Sequence, residues 1–137
     1  MLQLKKRKDG KAKLRFMATI CFYQDSRHDE SLKWIQEILR IGYLSKRNDG
    51  MTELRVNGFI QVHDILQELL PYIRFKKLQA VALHTACKLL GEKTFRKLRK
   101  EELQQLVSLM LVMQEENYVT KKKRSQQELF QILGLTP

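Results

Sequence analysis

The residues of this chain best suited to chemistry are cations and amides set at alternate positions. Gln3, Lys5 and Arg7 share one parity near the start, and Lys13, Arg15, Met17 and Cys21 share one shortly after. Ser45 with Arg47, then Glu53 with Arg55, repeat the pattern further along. Side chains two apart on an extended backbone point the same way, so each run puts its polar members on one surface. These types can read base edges: Arg bridges guanine O6 and N7, Gln pairs with adenine, and Lys reaches guanine or a phosphate. Met17 and Cys21 add only apolar contact, for instance with thymine methyls. A B-form major groove about 12 Å wide admits a two-stranded ribbon, so a twisted sheet with this outward face could lie along duplex DNA. The plainer reading is that a one-sided sheet must be polar outside whatever its role. The excess of cations over mixed charge on both hairpins argues against that reading.

Composition points the same way. Lys and Arg number 26 against 15 Asp and Glu, a formal charge of +11 that suits a polyanionic partner, with nucleic acid foremost. At 137 residues and 43% hydrophobic content the chain can fold around one core but is short for two. Cys21 and Cys87 make no disulfide framework and stand at no zinc-ligand spacing with the histidines, which favours a reducing compartment. No apolar run approaches the roughly 18 residues of a membrane span. Charges occupy the place where a secretion signal would be apolar, so neither membrane residence nor secretion is expected.

The elements that must position these residues follow from periodicity. Leu14, Phe16, Ala18, Ile20 and Phe22 form the inner face of one strand, with Thr19 among its outer residues. Leu2 and Leu4 form the inner face of another, and Asp9-Gly10 provides a tight turn between them. Ser26 to Asp29 looks like a capping box before a helix whose stripe is Leu32, Ile35, Ile38 and Leu39 with Trp34, ended by Gly42. Residues 43–47 and 51–56 predict a second hairpin around Asn48-Asp49-Gly50. Helices are then expected over 59–70, stopped by Pro71, and over 76–90, ended by Gly91. Two more follow over 101–117 and after the Ser125/Glu128 cap, with the basic run Lys121 to Arg124 between them as a solvated loop or, alternatively, a phosphate contact. The fold class is α+β, in the order ββαββα with additional C-terminal helices.

Several strings in this order resemble the single-motif LAGLIDADG homing endonucleases, especially those of algal chloroplast introns. They are Phe22-Tyr23-Gln24-Asp25-Ser26, Trp34, Ile41-Gly42-Tyr43-Leu44, Lys46-Arg47-Asn48-Asp49-Gly50 and Leu70 through Ala80. The resemblance covers roughly residues 1 to 90, which makes residues 1–91 a DNA-binding core and residues 92–137 a helical extension of the same domain. It implies a site-specific double-strand endonuclease that uses Mg2+, works as a homodimer on double-stranded DNA and resides in a chloroplast or mitochondrion. The family's metal ligands end its first helix, in the motif that names it. No such motif occurs in this sequence, and Met1 aligns inside the first strand. The resemblance therefore leads us to expect the first helix, its carboxylate and half of the dimer interface to be missing, with no metal ligand and no Mg2+ bound by this chain alone. Supporting positions carry over: Gln24 near the metal-bound water, Lys76 near the scissile phosphate, and His28 where a basic residue often helps. Each has a structural alternative as well, Gln24 ending a strand, Lys76 opening a helix and His28 lying in a first turn.

His63 and His84 fall within amphipathic helices and read as packing or surface residues, and Cys87 as a small buried hydrophobe. Whether the chain is an enzyme is left open by its residues. The alternative to an endonuclease domain is a non-cleaving nucleic-acid binder, an intron-RNA splicing helper or a DNA-binding regulator, on the same fold. An unrelated basic interaction protein would follow phosphate charge alone.

Overall fold

A computed structural model of the chain describes residues 1–8, 13–115 and 123–136. Its elements are β1 (Leu2–Lys6), β2 (Leu14–Asp25), α1 (Glu30–Leu39), β3 (Tyr43–Lys46), β4 (Met51–Asn57), α2 (Phe59–Leu69), α3 (Lys77–Glu92), α4 (Lys100–Glu115) and α5 (Gln126–Leu133). The strands form one antiparallel sheet in the order β1-β2-β4-β3. This is the α+β order ββαββα followed by further helices. The Asp9-Gly10 turn lies outside the described residues, as do Lys121 and Lys122 of the basic run.

Alternation divides the sheet as the sequence suggests. Leu2, Leu4, Phe16 and Ala18 of the inner parity join Val62 and Leu66 of α2, Leu83, Cys87 and Leu90 of α3, Leu106, Val107 and Met110 of α4 and Leu129 of α5 in one core. Leu54 and Val56 of β4 are wholly buried on the same side. The outer parity is less uniform than expected. Thr19 is buried, because its hydroxyl donates to Asn57 Oδ1 (2.8 Å) across the junction with β4 and its backbone is paired with Met1.

The helix ends show where local signals yielded to packing. Asp25, not Ser26, caps the 3-10 turn Ser26–His28 that precedes α1. The Ser26 hydroxyl instead bonds Thr52 of β4 at 2.8 Å. In α1 only Leu32 is buried, with Ile35 and Leu39 half-buried. Trp34 (62% exposed) and Ile38 (58%) project outward and do not belong to the core stripe. Arg40 takes the left-handed conformation at the end of α1 (φ 55°). Gly42 follows at φ 100°, where a Cβ would stand 3.0 Å from the Arg55 carbonyl oxygen and from the Leu54 and Val56 side chains. The close approach of backbone to β4 is what requires glycine there. Gly91 lies inside α3, which runs on to Glu92, since nothing at that position forces a positive φ. A 3-10 turn, Leu70–Tyr72, carries Pro71 beyond α2, and the Ser125/Glu128 capping box is formed at α5.

Two contacts fix the helices on which α3 depends. Glu102 receives hydrogen bonds from Lys93 Nζ and from the Arg99 amide (2.8 Å), and these hold its carboxyl down at about 2. His63 and His84 stack between α2 and α3 with ring centroids 4.5 Å apart and planes 20° from parallel. His84 Nε2 bonds Gln67 Oε1 at 2.7 Å and His63 Nδ1 bonds Asp64 Oδ1 at 3.0 Å. Burial first, then the charges of His63 and Lys88, lowers the His84 pKa. A histidine whose folded pKa is depressed binds its proton more readily in the unfolded chain, so its contribution to stability is present above the unfolded value and lost as pH falls through it. The thermal midpoint is therefore expected to fall between pH 7.5 and pH 5.5, with a smaller fall in His84→Gln; calorimetry at both pH values checks this, and an equal fall in the variant would exclude the pair as its source.

Candidate nucleic-acid interface

Register brings the candidate readers onto one face. Gln3 stands opposite Met17 and Lys5 opposite Arg15 in the β1/β2 ladder. The Arg7 amide bonds the Lys13 carbonyl at 2.8 Å, extending that pairing by one step. In the second half of β2, Cys21 faces Arg55, which faces Tyr43 across β4 and β3. Tyr23 faces Glu53, which faces Ser45. Arg47 lies beside Met51, its amide bonded to the Met51 carbonyl at 2.8 Å.

The two hairpins differ in how their cations are held. Lys5, Arg7, Lys13 and Arg15 are exposed, and none takes part in an ion pair among the described residues. Arg47 and Arg55 are tied into a network around Glu53. Arg55 Nη2 is 2.9 Å from Glu53 Oε1, and Arg47 Nη1 is 4.0 Å from Glu53 Oε2. Arg47 also pairs with Asp49 at 3.1 Å and lies over the Tyr23 ring at 5.5 Å. Partial burial, reinforced by Cys21 and Glu53, pushes the Tyr23 phenol above its ordinary pKa, so it remains a neutral donor. Glu53 itself is 7% exposed, buried beneath the surface it was expected to share with the readers. Tyr23 and Tyr43, each 49% exposed, belong to the same face and were not among the base readers expected from the sequence. Their parity with Cys21 and Ser45 was the available signal.

The supporting positions are less closely gathered. Lys76 is an exposed residue in the left-handed conformation (φ 56°) immediately before α3. It borders a groove of about 840 Å3 lined also by Phe22, Tyr23, Phe75 and Gln79. Gln24, one residue past Tyr23, is exposed, and its Oε1 accepts from the Asp25 amide at 3.2 Å. His28 is exposed in the 3-10 turn and does not line that groove.

A divalent ion requires converging oxygen donors. Asp25, the carboxylate next to Gln24, is occupied by Arg27 Nη2 at 2.8 Å and Nε at 3.0 Å, contacts that hold its carboxyl far below the usual range. Among the described residues no three His, Cys, Asp or Glu side chains are placed to hold a metal ion. The residues described here do not fit a magnesium centre.

No family model matches the chain. The DNA endonuclease I-CvuI of Chlorella vulgaris is 36% identical over 78 residues, which are 57% of this chain and 48% of that protein. The matched part thus spans about half the length of the curated relative. The structure of the homing endonuclease I-CvuI with the I-CreI target in 2 mM Mg, its DNA not cleaved, superposes with a TM-score of 0.69 at 28% identity, over 97% of this chain and 84% of that one. The chain is thus similar, in sequence over this stretch and in fold over nearly its whole length, to homing endonucleases of the LAGLIDADG type. The archaeal intron-encoded homing endonuclease I-Vdi141I complexed with DNA shares the fold, with a TM-score of 0.78 at 20% identity over 97% of this chain and 84% of that one. This likeness agrees with the element order and with the sheet face assembled above.

The two cysteines make the face accessible to a chemical probe. Cys87 is buried, and burial pushes its thiol up to about 12, whereas Cys21 is partly exposed on the sheet face. A thiolate is the reactive form, so a thiol reagent at pH 8 should label Cys21 alone in the folded protein and both cysteines in denaturant. Peptide mass analysis reads this directly; labelling of folded Cys87 at a comparable rate would contradict the packing of α3.

Proposed function

We propose that this domain recognises double-stranded DNA site-specifically through the outer face of its four-stranded sheet, as the DNA-binding part of an intron-encoded homing endonuclease. The observation that carries the reading is the collection of Gln3, Lys5, Arg7, Lys13, Arg15, Arg47 and Arg55 on one sheet face, by register, in a chain of this family. The two hairpins give a twisted ribbon pair of the kind a major groove admits. Phosphodiester cleavage with Mg2+ and assembly as a homodimer belong to the same reading, as does a chloroplast or mitochondrial setting. Gln24, Lys76 and His28 would act in support of cleavage, Lys76 beside the scissile phosphate. Among the described residues no helix is long and apolar enough to cross a membrane.

Selection from a randomised duplex library tests the proposal: one long sequence family should be enriched, and enrichment of no sequence would overturn it. Each phosphate contact contributes a counterion-release slope of about 0.9 in log affinity against log salt. The double variant Arg7→Gln/Lys13→Gln should therefore flatten that slope by about 2. Titration at several salt concentrations makes the comparison.

A further inference from the structure

We infer that Glu53 is a positioning residue for sequence recognition, drawing Arg47 and Arg55 together so that they read guanines closer in spacing than their strand positions alone would give. The inference rests on the reading of this face as a duplex-DNA surface and adds a division of labour to it. Attraction that ignores sequence comes mainly from the exposed cations of the first hairpin, and discrimination from the arginine pair beside Glu53 on the second.

The geometry begins with register. Arg47 lies beside Met51, and Arg55 is four residues further along β4. Four residues of strand span roughly 13 Å, comparable with about four base-pair rises at 3.4 Å each. Glu53 sits midway between those two levels, on the same face. Its two oxygens each receive one guanidinium, at 2.9 Å from Arg55 and 4.0 Å from Arg47. The Arg55 head thus lies against Glu53, and the Arg47 head is held between Glu53 and Asp49, within reach of the same carboxylate.

Burial makes the clamp persistent. Glu53 is 7% exposed and lies against both guanidiniums, so an arginine that swings away gives up a largely desolvated ion pair, which costs more than an exposed one. Arg55, the nearer of the two, can keep its ion pair with Glu53 while other donors of its fork face outward. An Arg carries five N–H donors in a rigid fork, enough to hold a carboxylate and a guanine edge together. Arg55 Nε is itself buried without a hydrogen-bond partner, so this side chain is held in place at a local cost and not by filling its own bonds. The Tyr23 ring beneath Arg47, and Asp49 beside it, restrict the second head further. Heads restrained before binding lose less freedom on contact and tolerate fewer alternative geometries, which favours discrimination over bulk affinity.

The test is duplex selection on the full chain, comparing the wild type with Glu53→Gln, Arg55→Lys and Glu53→Gln/Arg55→Lys. In the wild type, guanine should be preferred at two positions fewer than four base pairs apart. Glu53→Gln should weaken both preferences by about tenfold, the order of one bidentate base contact. Its affinity for random duplex should hold or rise, because a negative charge has been removed from beneath the DNA. Arg55→Lys keeps the charge but loses the fork, and should weaken both positions through the shared carboxylate. The double variant should be little worse than either single one. Both preferences surviving in Glu53→Gln would overturn the inference, as would loss confined to one position in Arg55→Lys, or a uniform loss over all sequences. Arg55→Lys decides the matter if Glu53→Gln does not fold. Absence of any selected duplex in the wild type would instead sink the DNA reading itself.

Discussion

Strand β2 has twelve residues and a neighbour on each side, but on different halves. Residues 14–18 pair with β1 and residues 19–25 with β4. This staggered pairing makes one strand the common reference for both hairpins. It therefore sets which residues of four strands share a face. Because the side-chain period is two, a slip of one residue in either ladder would put Arg15 or Arg55 into the core and Phe16 or Val56 into water. The depth of the core on one side guards the register, and the register in turn assembles the polar face on the other.

Much of this was legible because it depends on period and turn chemistry, which a sequence states directly. The alternation of Leu14 to Phe22, the Asn48-Asp49-Gly50 turn and the Ser125/Glu128 capping box all appear where the pattern placed them. What could not be read depended on partners distant in sequence. Ser26 was a plausible cap until Thr52, 26 residues away, offered its hydroxyl. Trp34 and Ile38 fit an apolar stripe by type, yet α1 meets the sheet through Leu32 and its half-buried neighbours, leaving that flank outside. Among the candidate site residues, parity gave the face correctly but could not tell which members would be free. Glu53 and Lys5 occupy equivalent outward positions in their patterns. One is nevertheless buried between two arginines and the other exposed, a difference made by where β3 crosses beside β4.

That difference also bears on the cost of gathering cations. Exposed like charges repel, and at physiological ionic strength the repulsion is screened beyond about 8 Å. On the first hairpin Lys5, Arg7, Lys13 and Arg15 stand in solvent and depend on that screening, so part of their repulsion persists until a polyanion approaches. On the second hairpin the sheet is wider, with Arg55 on an inner strand and 29% exposed, and water alone would screen it poorly. A carboxylate in the same layer removes the problem locally and fixes the direction of the guanidinium. The acidic residue least expected on a cationic face thus accompanies the arginine placed where the sheet has a strand on both sides. Where a strand has one neighbour, as β2 does at Arg15, the face carries exposed cations; where it has two, as β4 does at Arg55, the arginine is already paired.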